Sequence, residues 1–291
     1  MTRTSGLIGG WTDNVAEHRG GGSAQCVEFL RWALPHLRLR WSGFRKVRRQ
    51  VWRRVRRRAA ALGLGDLFAY RAYLERHREE WAALDVLTHI TISSFYRDRA
   101  VFDFLQREVL PSLAMRALMG GRTSFEVWSA ACASGEEPYT LSIMWRLALR
   151  TRYPNPPLHV LATDVEPAAL VRAREACYAP GSVRQLPDSW RSLAFDERAG
   201  QLCLRPSLRR CVEIAQHDVR TAVIGGPYDL VLCRNPVFTY FEESLQREVL
   251  ARFAGGNATW GCAGARPPRV HTGGRAHSQS VAVSPDVYRR E

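Results

Sequence analysis

The sequence predicts an α/β protein: a doubly wound parallel sheet preceded by a small all-helical domain. Three observations carry that expectation. Short β-rich runs alternate with helical stretches from residue 125 onward, helical periodicity alone fills residues 26–85, and a Gly-Gly-Arg break at 120–122 separates the two regimes.

In the first region Phe44, Val47, Val51, Val55, Ala59 and Leu62 recur at spacings of three and four, which puts one apolar stripe opposite a face of arginines. "LGLGD" (62–66) reads as a stop, and "LFAYRAYLERHREEWAAL" (67–84) as a further amphipathic helix. Residues 86–119 read as a connecting segment with a helix near 98–118. Beyond the break, "FEVWSA" (125–130), "LHVLAT" (158–163), "CVEIAQ" (211–216) and "YDLVLC" (228–233) read as strands. The runs 138–150, 167–177 and 242–253 read as helices. Strands separated by helices imply right-handed crossovers and a parallel sheet, here over 120–256. "QLCLRP" (201–206) before "RRCVEI" (209–214) suggests a small antiparallel hairpin within a β-insert near 196–216. Residues 1–24, rich in Gly and Ser, read as a disordered tail. Residues 257–291 read as an atypical C-terminus: "CAGARPPRVHTGGRAHSQS" (262–280) lacks a strand pattern, and "VAVSPDVY" (281–288) offers one short strand at most. An open sheet edge beside the strand ending at Cys233 is the expected consequence.

The chain has 291 residues and a formal net charge of +14. Residues 38–58 hold eleven basic residues and no acid, so the charge is a local patch that suits an anionic partner. Lys46 is the only lysine, which makes the arginine bias look compositional. No apolar run reaches the roughly 20 residues needed to cross a bilayer. The N-terminus has no signal-peptide pattern, so a cytoplasmic location is expected. Seven cysteines without a C-x-x-C pair suggest neither a disulfide framework nor a metal site, and reduced structural thiols are expected.

Ligands of open parallel sheets sit beyond the carboxyl ends of the strands. The first such loop, "AACASGEEP" (130–138), lacks G-x-G-x-x-G, yet its small residues allow a ligand close to the backbone. Asp164 follows strand two, where a carboxylate can accept both hydroxyls of an adenosine ribose; the competing reading is a turn aspartate that caps the next helix. Glu136 and Glu137 likewise suit a helix N-terminus without any ligand. An adenosine ligand bearing a positive group fits this loop, and S-adenosylmethionine answers that description.

Four stretches, "ITISSFYRD" (90–98), "VWSAACASGEEPYTL" (127–141), "LATDVEPAALVRARE" (161–175) and "LCRNPVFTYF" (232–241), together resemble the chemotaxis receptor methyltransferase (CheR) family. The resemblance runs from about residue 26 to 256. It implies a Rossmann-like S-adenosylmethionine-dependent methyltransferase domain behind a helical domain, and methyl esterification of glutamates on the cytoplasmic helical part of chemotaxis receptors. It further implies a monomer that neither binds nucleic acid nor enters the membrane. Carried over by motif, Thr91, Ser93 and Arg97 fall in the active-site segment, with Arg97 and Tyr240 catalytic. Glu137 would hold the methionine amino group, Asp164 the ribose, and Asp218 the adenine side, while Asn235 and Pro236 would line the cofactor. Without the resemblance, Arg97 reads as a surface pair with Asp98 or Glu108, and Tyr240 as a core aromatic.

The corner Asn235-Pro236-Val237-Phe238 also resembles that of enzymes methylating base amino groups. Such an acceptor needs hydrogen-bond acceptors around it. A glutamate carboxylate, ionised at neutral pH, instead needs donors that position one oxygen, and Arg97 and Tyr240 are donors. The carboxylate reading is therefore favoured over a nucleic-acid amino-methyltransferase. A receptor-binding homologue without turnover is the third reading, supported by the atypical C-terminus.

Overall fold

The computed structural model describes the backbone of residues 21–155, 157–233, 236–255, 260–263, 280–284 and 287–290, and the side chains between 24 and 253 apart from 156 and 234–236. The expected N-terminal tail lies outside the described residues up to residue 20, and the first helix takes in its end. The chain divides into two compact units, one of residues 1–37 and 44–87, the other of residues 38–43 and 88–291. The short segment 38–43 thus interrupts the helical unit, a division that helical periodicity did not reveal.

The helical unit is built from α1 (Gly21–His36), the end of the single turn α2 (Trp41–Phe44), α3 (Arg48–Ala61), α4 (Leu67–Arg76) and α5 (Glu80–Thr88). Phe44, Val51, Val55 and Ala59 of the predicted stripe are buried with Leu30, Leu34, Tyr70 and Leu74. Arg45, Lys46, Arg49, Arg53, Arg56 and Arg57 lie on the exposed side. The stop at 62–66 works through Gly63, which has φ +72°, and Asp66, whose carboxylate caps α4 by accepting from Ala69 N at 2.8 Å.

The second unit opens with α6 (Arg99–Phe104), a π-turn (Leu105–Val109) and α7 (Leu110–Met119), one continuous run. Pro111 cannot donate a backbone hydrogen bond, and the helix widens just before it. Val101, Phe102, Leu105, Val109 and Leu113 share one core with Phe125 and Val127, so this segment packs on the sheet instead of merely connecting two domains.

The sheet strands alternate with helices as expected: β1 (Phe125–Ala130), α8 (Glu136–Met144), β2 (Leu158–Asp164) and α9 (Pro167–Glu175). Next come β3 (Cys177–Tyr178), α10 (Asp188–Ala194), β4 (Phe195–Arg198), β5 (Gln201–Leu204) and α11 (Pro206–Arg209). Then follow β6 (Val212–Gln216), β7 (Leu230–Cys233), α12 (Pro236–Tyr240) and α13 (Glu243–Gly255). The last described elements are β8 (Trp260–Ala263), β9 (Ser280–Ser284) and β10 (Val287–Arg290). The main sheet has the order β6-β2-β1-β7-β8-β10-β9. Pairing is parallel from β6 to β8 and antiparallel at β10. Strand order reverses at β1, so the loops after β1 and β7 open at the switch point.

Three expectations need correction. The edge beyond β7 is not bare: β8 pairs with it in parallel and β10 and β9 follow. The order of the main sheet is thereby completed. In place of the one strand expected at 281–288 there are two, β9 ending at Ser284 and β10 beginning at Val287, and an edge already offering N–H and C=O groups accepts a partner with little side-chain pattern. Residues 256–259, 264–279, 285–286 and 291 lie outside the described part. Second, β5 pairs with β4 and β3 and not with β6, which belongs to the main sheet. Ala199 and Gly200, with φ +49° and +74°, close a two-residue turn between β4 and β5. Third, Cys177 and Cys203 form a disulfide. They are 26 residues apart in sequence yet directly opposite in the β3–β5 pair. Cys26, Cys132 and Cys211 are free thiols, as expected.

Candidate active site

The loop after β1 uses its small residues in a specific way. Ala131, Ala133 and Gly135 have φ of +59°, +52° and +88°, a left-handed conformation that larger side chains rarely adopt. A Cβ at Gly135 would lie 2.9 Å from the Tyr139 ring. The tight course brings Ala133 N within 2.8 Å of Asp164 Oδ2, while Glu166 N donates to Asp164 Oδ1 at 2.9 Å. Asp164 is buried and its carboxyl is pushed above its ordinary pKa, mainly by burial. Each of its oxygens accepts one described backbone donor and keeps a lone pair for a ligand hydroxyl. It does not cap α9: Glu166 does, accepting from Ala168 N.

Two further carboxylates enter at the start of α8. Glu137 accepts from Ser129 Oγ at 2.8 Å. Glu136 is 5% exposed, takes a hydrogen bond from Ser93, and leaves Oε2 without a partner among the described residues. Burial raises its pKa. Cys132 registers the combined field: its thiol is pushed well up, by burial first and then by Asp164, Glu137 and Glu136. The wall formed by the loop after β1 and the start of α8 is therefore electronegative, and among the described residues Glu136 Oε2 lacks a donor. This chemistry fits a ligand with cationic groups, as S-adenosylmethionine has in its sulfonium and ammonium.

The segment 90–98 lies against this wall. Phe95 N donates to Ser182 O and Tyr96 N to Thr140 Oγ1, at 2.9 and 3.1 Å. Tyr96 and Asp98 take positive φ, and Arg97 Nη1 donates to Ile92 O at 2.9 Å, bracing the turn. Thr91 and Ser93 are half-buried here. Tyr240 is half-buried at the end of α12, and its phenol is shifted upward by burial while the Arg97 charge opposes the shift. The Arg97 charge thus reaches Tyr240, 143 positions away in sequence.

Asp218 is turned onto its own loop. Its carboxylate accepts from Arg220 N at 2.8 Å and from the Arg220 guanidinium at 2.8–3.0 Å. Asn235 lies outside the described residues, and Pro236 is described only as the first residue of α12. Two residues escaped sequence reasoning. His89 Nδ1 lies 3.8 Å from Glu166 Oε2, beside the turn that holds Asp164. Glu136 reads in the sequence only as a helix-start acid. Nothing at position 89 signals a site except its place just before "ITISSFYRD".

A parallel sheet with this strand order, a small-residue loop after β1 and a buried acid after β2 define an S-adenosylmethionine-dependent methyltransferase fold. Residues 91–261 match the family model "CheR methyltransferase, SAM binding domain", and the chain belongs to that family. A "Chemotaxis protein methyltransferase" of Listeria monocytogenes is 37% identical over 58% of this chain and 61% of its own length. "Chemotaxis protein methyltransferase 2" of Pseudomonas aeruginosa is 32% identical over 69% of this chain and 71% of its own. The chain thus spans about three fifths of the Listeria relative. Among solved structures, the glycopeptide N-methyltransferase MtfA has a TM-score of 0.32 at 12% identity, covering 71% of this chain and 66% of that one. The cofactor, S-adenosylmethionine, follows from the family's binding domain. Among the described residues no helix is long and apolar enough to cross a membrane.

Proposed function

We propose that the protein is a cytoplasmic, monomeric protein-glutamate O-methyltransferase that esterifies glutamates on the helical cytoplasmic part of chemotaxis receptors. The observation that carries this reading is the seating of segment 90–98, which brings Arg97, against the start of α8 with its carboxylates Glu136 and Glu137. An acceptor glutamate approaching Glu136, Glu137 and Asp164 meets repulsion unless a cation receives it. Arg97 is a cation at that place, and Tyr240 adds a second donor.

When bound, S-adenosylmethionine supplies an electrophilic methyl group. Asp164 would accept the ribose hydroxyls, Glu137 the amino group, and Asp218 would share its carboxylate between Arg220 and the adenine side. Thr91, Ser93, Asn235 and Pro236 would complete the wall. Arg97 and Tyr240 would then hold one oxygen of the ionised acceptor in line, with its charge left available because neither donor gives up its proton to it; positioning is the principal contribution. The arginine face of α3 would meet the acidic receptor helices by long-range attraction.

The test is transfer of tritiated methyl groups from S-adenosylmethionine to peptides of receptor methylation helices and to RNA. Base-labile label on the peptide glutamates is the expected result. Label on RNA alone would replace this reading with the amino-methyltransferase one, and no label on either, with cofactor bound, would leave a binding protein.

A further inference from the structure

Residues 38–43, which belong to the same unit as the sheet, lie along α12 and the start of α13. Leu39 is buried and bridges antiparallel to Phe241. Arg38, held at φ +58°, receives Glu242 N on its carbonyl at 2.9 Å, and its guanidinium binds Glu242, Ser244 and Glu248. Arg40 engages three consecutive carbonyls at the end of α12. Its backbone N donates to Tyr240 O at 2.8 Å, its Nε to Thr239 O at 3.0 Å, and its Nη2 to Phe238 O. Gly43 closes the contact, for a Cβ there would sit 2.1 Å from Thr239 O.

A helix of five residues cannot hold itself, and its last carbonyls have no partner within it. Burial of Val237 and Phe238 secures one side of α12, and Arg40 satisfies the carbonyls of Phe238, Thr239 and Tyr240 with two charge-assisted bonds and one backbone bond. The main chain of Tyr240 is therefore set by residues almost two hundred positions earlier.

We propose that residues 38–43 are a strap that positions Tyr240 for methyl transfer, with Arg40 as the positioning residue and Gly43 as the point of closest approach. The catalytic part of this inference rests on the reading of Tyr240 as an acceptor-facing donor. The anchors at Arg38 and Leu39 do not involve the Arg40 side chain, so its replacement loosens the end of α12 and leaves the strap docked.

The experiment compares the full chain with Arg40→Ala, Arg40→Lys and Gly43→Ala. It measures methyl transfer to receptor-helix peptides, affinity for S-adenosylhomocysteine, and Tyr240 ionisation by ultraviolet difference against the matching Tyr240→Phe chains. A displacement of about 1 Å costs on the order of a hundredfold in rate, so kcat should fall about ten- to a hundredfold in Arg40→Ala with affinity for S-adenosylhomocysteine within about threefold. Arg40→Lys, which keeps a donor, should recover part of the rate, and Gly43→Ala should follow Arg40→Ala. The Tyr240 phenol should titrate lower in Arg40→Ala as it loses burial. An unchanged rate and titration would overturn the proposal, as would equal losses of rate and affinity. If the unaltered chain transfers no methyl, the functional reading falls by itself. The titration then decides the strap: a shift supports it and no shift removes it.

Discussion

Arg58 and Glu80 form a two-pronged ion pair, Nε to Oε1 at 2.9 Å and Nη2 to Oε2 at 2.7 Å, inside the helical unit. The Glu80 side chain is 4% exposed and also accepts from Tyr70 Oη at 2.8 Å. One member of the arginine patch is thus internal to the unit's architecture. It is not available as a plain surface charge for a partner.

Removing it should be costly. Arg58→Ala leaves the buried Glu80 with only its Tyr70 donor, a loss of about 1–3 kcal/mol because Arg58 itself is 39% exposed, whereas Arg57→Ala on the exposed face should stay within about 0.5 kcal/mol. Arg58 also holds the Glu80 carboxyl below its ordinary pKa, with help from Tyr70. The stability from this pair is therefore present above the ordinary glutamate range and is lost as pH falls through the lowered value. Denaturant melts between neutral pH and acid should show a pH-dependent component that Arg58→Ala abolishes; parallel curves would refute this.

Asp164→Ala should cost S-adenosylmethionine about 2–4 kcal/mol through two lost charged hydrogen bonds, or roughly thirty- to a thousandfold in affinity. Titration calorimetry giving equal affinity would remove Asp164 from the site.

Glu136 works in the opposite sense to Glu80. Burial raises its folded pKa, so the folded protein is penalised as pH rises from the ordinary carboxyl range through the raised value, and the full penalty applies above it. Glu136→Gln should accordingly melt a few degrees higher at neutral pH, with the advantage shrinking in acid. It should bind S-adenosylmethionine several-fold more weakly, and lose less affinity for the uncharged-sulfur product, because the sulfonium feels the missing charge. A lower melting temperature at neutral pH would contradict the sign.

The Cys177–Cys203 disulfide closes a loop across 26 positions, for which a loss of about 3–4 kcal/mol on reduction is expected. The β3–β5 backbone pairing remains, so the reduced protein should stay folded and melt earlier. Thiol titration of the denatured chain should find Cys177 and Cys203 unreactive until a reductant is added; labelling of both without reductant would disprove the bond.

The sequence alone determined the α/β architecture, the helical first unit and the loops that carry the site, because these depend on local periodicity. Strands 125–130, 158–163, 211–216 and 228–233 recur as β1, β2, β6 and β7 with small shifts at their ends. Asp164 and the loop at 130–137 could be singled out because a small-residue turn and an acid after a strand are local patterns. What the tertiary structure decided depends on residues far apart. The Cys177–Cys203 bond, the placement of β8, the field of Arg97 on Tyr240 and the hold of Arg40 on α12 join positions separated by 26 to almost two hundred residues. Backbone hydrogen bonding at a sheet edge or helix end is nearly blind to side-chain type, so no pattern in "WGCA" or "RLRWSG" announces it. Arg58 makes the same point: its neighbours share its charge, and only the packing of α3 against Glu80 and Tyr70 sets it apart.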